Sequence, residues 1–181
     1  MAGPLKPETR PSQLRMELSV ILAPRHGLVI CAAMSAALLA GALLFEYVGG
    51  LAPCRMCIWQ RWAHVAVIGA AAAGLLVMTP RAGLVLTLLA AFASAGIAGY
   101  HAGVEWQLWD GPAGCTAGLA SGGSAAELVD QLLATPVVRC DDVPWSLFGL
   151  SMAGWNMLFS LDISAVAMLS IIFGERAARQ T

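Results

Sequence analysis

Residues 53–61 form a dithiol motif at the start of a long apolar run, and read Pro53-Cys54-Arg55-Met56-Cys57-Ile58-Trp59-Gln60-Arg61. The two cysteines are three positions apart, and an arginine follows the second cysteine by one helical turn. A Cys-x-x-Cys pair is either a redox dithiol or half of a metal site. The rest of the chain has to distinguish these two possibilities.

The composition is that of a membrane protein. Of the 181 residues, 59% are hydrophobic and 12% are charged, whereas soluble domains are roughly half apolar and a quarter charged. Four apolar runs, at about 28–47, 58–78, 83–103 and 147–173, each come close to the roughly 20 residues that a bilayer span requires. We therefore predict an all-α membrane protein, an antiparallel four-helix transmembrane bundle. A signal peptide is the alternative for the first run, since Arg25 and His26 precede it.

Four spans divide the chain into a transmembrane domain over 26–176 and two tails, 1–25 and 177–181, on one side of the membrane. The loops 48–57 and 104–146 then lie on the other side. The side of the tails holds seven basic residues: Lys6, Arg10, Arg15, Arg25, Arg81, Arg176 and Arg179. The other side holds three: Arg55, Arg61 and Arg139. The positive-inside rule places both termini in the cytoplasm.

This topology puts four cysteines in a compartment where disulfides persist. They are Cys54, Cys57, Cys115 and Cys140. The second loop is long enough for Cys115 and Cys140 to pair with each other or to reach the first pair, and the sequence leaves both open. Cys31 lies within the first span, where we expect a small buried hydrophobe.

The first pair lies at the start of a helix, which favours a thiolate. The partial positive charge of a helix N-terminus lowers a cysteine pKa. Arg61 follows Cys57 by four residues and shares its helix face, so we expect the lowered pKa at Cys57. An arginine inside a span is a functional hypothesis by default, with snorkelling of its head group to the interface as the alternative. His64 is expected to be a packed, hydrogen-bonded residue.

Three further features belong to the last half of the chain. His101 ends the third span beside Tyr100 and Glu105, and can donate a hydrogen bond or carry a proton. A capping box at 124–127 predicts a short amphipathic helix over 125–133 in the second outer loop, lying on the membrane surface. Asp162, a polar residue within the fourth span, is expected to face the bundle interior.

Redox exchange is favoured over a metal site and over a structural pair of disulfides. Cys115 and Cys140 are too far apart in sequence to complete a zinc motif, and a packed bundle gains little from stapling. No haem, flavin or iron–sulfur motif is present to accept electrons. A lipid-soluble quinone needs no such motif, and it would dock beside Cys57, Arg61 and His101.

At this point the motifs resemble the DsbB family of bacterial inner-membrane thiol–quinone oxidoreductases. The resemblance covers about Leu28 to the end of the fourth span. It rests on the four spans and on Pro53-Cys54-x-x-Cys57-x-x-Gln60-Arg61, Tyr100-His101…Glu105, Gly111-Pro112…Cys115, and Cys140…Pro144-Trp145…Phe148-Gly149-Leu150-Ser151-Met152-Ala153…Trp155-Asn156.

The resemblance implies a role for each matching residue. Cys115 would form a mixed disulfide with a periplasmic DsbA-like oxidase of thioredoxin fold, and Cys140 would resolve it or exchange with Cys54. Cys57 would pass electrons to a membrane quinone, ubiquinone or menaquinone, beside Arg61 and His101. The cysteine loops would be periplasmic, and neither a bound metal nor a nucleic-acid partner is expected.

Two other classes of protein stay open. One is a transmembrane conductor that imports electrons for an isomerase pathway, although only Cys31 lies toward the cytoplasm. The other is a non-catalytic membrane scaffold or transporter subunit, in which Asn156 and Asp162 would form a polar path.

Overall fold

The computed structural model describes residues 23–113, 115 and 138–178. Four long helices account for most of them: α1 over Pro24–Tyr47, α2 over Arg55–Leu76, α3 over Pro80–Glu105 and α4 over Met152–Ala178. Two short strands, β1 over Ser146–Leu147 and β2 over Leu150–Ser151, pair antiparallel just before α4. The prediction of a mostly helical chain is confirmed.

Three of these helices are long and apolar enough to cross a membrane. They are Pro24–Tyr47, Pro80–Glu105 and the Met152–Gly174 part of α4. Helix α2 falls outside this set, because Gln60, Arg61 and His64 make its first half polar. The structure therefore supports a membrane protein, and the fourth predicted span stays a prediction.

The bundle has two buried clusters at different depths. α3 packs against α2 and α4 along their length, and α1 packs against all three other helices. The larger, purely apolar cluster draws on every helix and contains Leu28, Cys31, Val67, Ala71, Leu84, Ala91, Ile163 and Ala167. The second contains three of the five cysteines, Cys54, Cys115 and Cys140, with Cys57 packed against it, and lies where α2 begins and α3 ends.

The start of the last helix differs from the prediction. We expected a span from about residue 147, but residues 146–151 form a hairpin in which Ser146 faces Ser151 and Leu147 faces Leu150. Both turn residues have positive φ, 53° at Phe148 and 79° at Gly149, as a two-residue type I′ turn requires. Helix α4 therefore begins at Met152.

The predictions for Cys31 and Asp162, both within spans, have opposite outcomes. Cys31 is fully buried in the apolar cluster, as expected. The prediction for Asp162 is wrong, because this residue is exposed on α4. The buried face of α4 follows Ser160, Ile163 and Ala167, and the helical period turns residue 162 away from it. The predicted amphipathic helix over 125–133 lies outside the described residues.

Helices α2 and α3 touch backbone to backbone near the turn that joins them. A Cβ atom added at Gly74 would lie 2.7 Å from the Cα of Gly83, and one added at Gly83 would lie 2.4 Å from the Cα of Gly74. Both distances are shorter than a Cβ tolerates, and backbone atoms cannot rotate aside. Thr79 caps α3 at this turn by accepting from the N–H of Ala82.

Alanine at either glycine of this contact should destabilise the protein. Gly74→Ala and Gly83→Ala should each lower the free energy of unfolding by about 1–3 kcal/mol, since overpacking forces the helices apart. The matched controls are Gly69→Ala in α2 and Gly96→Ala in α3, where an added Cβ meets open space. Unfolding in mixed detergent micelles measures the difference; equal effects at all four positions would contradict the close contact.

Candidate active site

The cysteines of both predicted pairs lie in one buried cluster at one end of the bundle. Cys54, Cys115 and Cys140 are each at most 5% exposed, and they pack with Met56 and Val104. Cys57 is half-buried and packs against the same cluster. Because the four sulfur atoms share one cluster, the two pairs can exchange with each other.

The first pair forms the N-terminus of α2. Cys54 is the N-cap residue, and its Sγ accepts a hydrogen bond from the backbone N–H of Cys57 at 3.2 Å. The two sulfur atoms, Cys54 Sγ and Cys57 Sγ, lie 2.8 Å apart and are free thiols. A disulfide between them, with sulfur atoms about 2.05 Å apart, can therefore close with little movement of the backbone.

The second pair is joined as a Cys115–Cys140 disulfide. The chain reaches Cys115 by folding back along α3 after Glu105. Trp109 lies flat over Gly103, where an added Cβ would meet its ring at 2.0 Å, and its indole N–H donates to the carbonyl of Tyr100 at 2.9 Å. The N–H of Cys140 then donates to the carbonyl of Cys115 at 3.0 Å, which aligns the two segments.

His101 lies between the two pairs. Its Nε2 is 3.6 Å from Cys54 Sγ and 3.1 Å from the carbonyl oxygen of Cys140. The side chain is almost fully buried, and Glu105 Oε1 is 3.8 Å from the same nitrogen. The structure thus brings His101 to the thiol that faces the disulfide, a position that the sequence did not predict.

The electrostatics of the first pair favour a thiolate at Cys54. The hydrogen bond with the Cys57 thiol, together with the contact with His101, lowers the pKa of Cys54 to about 4, although burial opposes both. The expectation that the lowered pKa belongs to Cys57 is therefore wrong for this arrangement. The reason is geometric, because the sulfur of Cys54 faces the Cys57 thiol, His101 and the backbone N–H of Cys57, all of which favour its charged form.

Arg61 is held by helix α1. Its guanidinium forms an ion pair with Glu46, and its Nη2 donates to the carbonyl of Ala42 at 3.3 Å. Both side chains are about one-fifth exposed, 19% for Arg61 and 21% for Glu46. A partly buried carboxylate thus neutralises the arginine, which the sequence argument had placed beside Cys57 alone.

A line of hydrogen bonds runs from His101 into the bundle. Gln60 Nε2 is 2.8 Å from His101 Nδ1, and Asn156 Nδ2 donates to Gln60 Oε1 at 2.6 Å. Asn156 Oδ1 is 2.7 Å from His64 Nε2, and Ser35 Oγ is 3.2 Å from His64 Nδ1. His64 is buried and hydrogen-bonded, as expected. One sequence signal points to Gln60, its position four residues before His64 on one helix face.

Glu105 is fixed by the hairpin that precedes α4. The hydroxyl of Ser151 donates to a Glu105 carboxylate oxygen and accepts from the N–H of Gly154 at 3.1 Å. Ser151 therefore caps α4 and holds the acid near His101 at the same time. Sequence reasoning had grouped Glu105 with His101 but had missed the serine.

The same atoms include metal-type donors. Cys54 Sγ, Cys57 Sγ and an imidazole nitrogen of His101 all lie within 4.8 Å of one another. Zinc accepts sulfur and imidazole ligands, so this donor set could hold such an ion when both thiols are reduced. The sequence had weighed a metal site from the four cysteines and had not included His101.

Three helices of the bundle are long and apolar enough to cross a membrane, and a disulfide lies next to a pair of free thiols. These features define the class as a membrane protein with a site for thiol–disulfide exchange. The family described as disulfide bond formation protein DsbB matches residues 24–170 of the chain. The relatives called disulfide bond formation protein B include one from Acidovorax sp. (strain JS42), 30% identical over 88% of this chain and 94% of the relative.

Two other relatives carry the same name. The protein from Polaromonas sp. (strain JS666 / ATCC BAA-500) is 32% identical over 87% of this chain and 94% of its own length. The protein from Xylella fastidiosa (strain Temecula1 / ATCC 700964) is 33% identical over 79% of this chain and 85% of its own length. This chain belongs to the DsbB family, which implies disulfide oxidoreductase activity.

The thiolate at Cys54 predicts an unusual pH dependence of alkylation. In the reduced protein, iodoacetamide should modify Cys54 at a nearly constant rate between pH 8 and 5, because the group stays ionised above a pKa of about 4. An ordinary thiol, with a pKa of about 8.5, slows roughly tenfold for each pH unit below it. Mass spectrometry resolves the individual cysteines.

The matched variant is Cys57→Ala, which removes the largest cause of the lowered pKa. Alkylation of Cys54 in this variant should become steeply dependent on pH in the same range. A steep dependence already in the intact pair would contradict the assigned thiolate.

Proposed function

We propose that this protein reoxidises a periplasmic DsbA-like oxidase of thioredoxin fold and passes the electrons to a membrane quinone. The observation that carries the proposal is the juxtaposition of a Cys115–Cys140 disulfide and the Cys54 thiol at His101. Two exchangeable pairs in one buried cluster form a two-step path for electrons, which a single structural disulfide would not.

The first step is exchange with the partner. A thiolate of the reduced partner attacks Cys115, the Cys115–Cys140 bond breaks, and Cys140 leaves as a thiolate. The second partner thiol then releases the mixed disulfide and leaves with a disulfide of its own. Two electrons and two protons pass from the partner to Cys115 and Cys140, so the exchange balances.

The second step is exchange between the two pairs. When Cys54 and Cys57 are oxidised, a thiolate of the second pair attacks Cys54, and Cys57 leaves as a thiolate. The other thiol of the second pair then attacks the sulfur bound to Cys54, which re-forms the Cys115–Cys140 disulfide and releases Cys54. His101 Nε2 contacts both the sulfur of Cys54 and the carbonyl of Cys140, so it can donate a hydrogen bond to a sulfur on which negative charge develops. The donor is in place before the exchange, which favours the charged form without reorganisation.

The outlet for electrons is Cys57. It is half-buried, and the same end of α2 exposes Ile58, Trp59 and Trp62. An apolar face beside a thiol suits a lipid-soluble ligand that approaches from the bilayer. When bound, a quinone accepts two electrons and two protons. Arg61 would bind a ring oxygen in competition with Glu46, and His101 would supply a hydrogen bond from the side of Cys54.

The proposed orientation places the cysteine end in the periplasm and both termini in the cytoplasm of a bacterial inner membrane. Its support is the seven-to-three division of basic residues. Helix α2 would be the remaining span of the four. Its polar residues have partners inside the bundle, since Gln60, Arg61 and His64 are all hydrogen-bonded.

The electron-importing alternative fits the structure less well. It requires thiols reachable from the cytoplasmic end, and the cysteine nearest that end is Cys31. This thiol is fully buried and lies 3.6 Å from the carbonyl of Ile163. A single thiol cannot alternate between a dithiol and an intramolecular disulfide, as a conductor of electron pairs requires.

Oxidation of the first pair should require quinone. In membranes with reduced Cys54 and Cys57, added ubiquinone or menaquinone should restore the disulfide, measured by trapping free thiols with maleimide. Cys57→Ser should abolish quinone reduction, because the outlet thiol is gone. Cys31→Ser is the matched control and should retain activity. Reoxidation at the same rate in quinone-free membranes would refute the proposed acceptor.

Removal of the resolving cysteine should trap the partner. In Cys140→Ala, the free thiolate of Cys115 attacks the disulfide of the oxidised partner and forms a mixed disulfide with it. This mixed disulfide has lost Cys140, one of the two thiols that can resolve it, and keeps only the partner's second thiol. A covalent adduct with the DsbA-like partner should accumulate on a non-reducing gel. Cys115→Ala, which removes the attacked sulfur, should give no such adduct. An adduct that persists in Cys115→Ala would reverse the assigned order.

A further inference from the structure

We propose that His64, acting through Asn156 and Gln60, fixes His101 in the tautomer that carries its proton on Nε2. His64, Asn156 and Gln60 are then positioning residues for the hydrogen bond that His101 gives to Cys54. The inference deepens the proposed function, because it concerns the donor between the two cysteine pairs.

The direction of each hydrogen bond follows from the amide groups. An amide nitrogen only donates and an amide oxygen only accepts. Asn156 Nδ2 donates to Gln60 Oε1 at 2.6 Å, which leaves Gln60 Nε2 as the donor to His101 Nδ1 at 2.8 Å. His101 Nδ1 must therefore accept, and in the neutral ring the proton is on Nε2. That nitrogen is the one near Cys54 and the Cys140 carbonyl.

Asn156 is held between His64 and Gln60. Asn156 Oδ1 lies 2.7 Å from His64 Nε2, so this nitrogen donates. The other ring nitrogen, His64 Nδ1, is 3.2 Å from the hydroxyl of Ser35, which can donate to it. The direction of the hydrogen bonds is set at the other end, because the carbonyl oxygen of Cys140, 3.1 Å from His101 Nε2, can only accept. If Asn156 and Gln60 were both turned over, His101 would carry its proton on Nδ1, and Nε2 would face that carbonyl without one.

Ser94 and Glu105 also border this line of hydrogen bonds. Ser94 Oγ lies 3.4 Å from His64 Nε2, and Ser160 donates to Ser94 at 3.0 Å. Glu105 is the carboxylate beside His101, 3.8 Å from Nε2, and it lies on the cysteine side of the ring. Glu105 therefore faces the proton on His101 Nε2. Its carboxylate and the hydrogen bond from Gln60 favour the same tautomer.

This line of hydrogen bonds joins all four helices. Ser35 belongs to α1, Gln60 and His64 to α2, Ser94 and His101 to α3, and Asn156 to α4. Gln60, His64 and His101 are each at most 7% exposed. Because a buried donor or acceptor without a partner is costly, a change at one position is transmitted to the next instead of being absorbed by water.

Nitrogen-15 NMR tests the tautomer directly. The chain has three histidines, and protonated and unprotonated ring nitrogens differ widely in chemical shift. In the reduced wild-type protein, His101 should show a protonated Nε2 and an unprotonated Nδ1. Asn156→Asp keeps the acceptor for His64 but has no N–H for Gln60, so His101 should become a mixture of tautomers.

The same variant should change the chemistry of Cys54. The pH at which Cys54 alkylation is half-maximal should rise by about one unit, since one pKa unit corresponds to the loss of roughly one hydrogen bond to the charged form. Asn156→Leu removes the donor without adding a charge and should give the same result, should Asn156→Asp fail to fold. Ser164→Ala is the matched control, because it removes a buried hydroxyl of α4 that donates to the Ser160 carbonyl.

A double-mutant cycle separates positioning from a purely structural effect. In a His101→Ala background, Asn156→Asp should have no further effect on the rate of Cys54 alkylation. A protonated Nδ1 in wild-type His101, or unchanged His101 signals in both Asn156 variants, would overturn the proposal. These measurements use the reduced protein without partner or quinone, so the proposed function can fail in turnover assays while this inference stands, and the reverse.

Discussion

A polar side chain inside an apolar bundle must find its hydrogen-bond partners within the protein, and this constraint organises the structure. Gln60, His64 and His101 have no access to bulk water, and each is bonded to a residue of another helix. A mispaired group would cost free energy comparable to a large fraction of a small protein's stability. The polar line therefore specifies how the four helices face one another, whereas the apolar cluster alone would tolerate some sliding.

The cysteine cluster at the start of α2 depends on the same constraint. The N-terminus of α2 offers backbone N–H groups without partners in the helix, and the sulfur of Cys54 takes one of them. His101 can reach that sulfur because its other ring nitrogen is held from behind by Gln60. The geometry of the thiol is thus set by the Cys-x-x-Cys motif at the start of α2 together with the packing of the helices that position His101.

Composition and local motifs predicted the helical membrane class, the dithiol at the start of α2 and the family, because those features lie in contiguous stretches of sequence. The pairing of Cys115 with Cys140 and the partner of Arg61 depend on distant segments, since Glu46, which forms the ion pair with Arg61, comes from α1. Cys57 was given the thiolate from its helix position, while the cap geometry favours Cys54. Asn156 was one polar residue among apolar ones until α4 placed it between Gln60 and His64.

The Cys115–Cys140 disulfide links two residues 25 positions apart in sequence. A link of this length destabilises the unfolded chain by roughly 3–4 kcal/mol, because it lowers the chain's conformational entropy. A disulfide that opens in each turn of the proposed cycle cannot stabilise the fold throughout that cycle. In this protein the apolar cluster that joins the helices contains neither of these cysteines. Opening the disulfide therefore loosens a local closure, and the helices keep the arrangement in which the bond can form again.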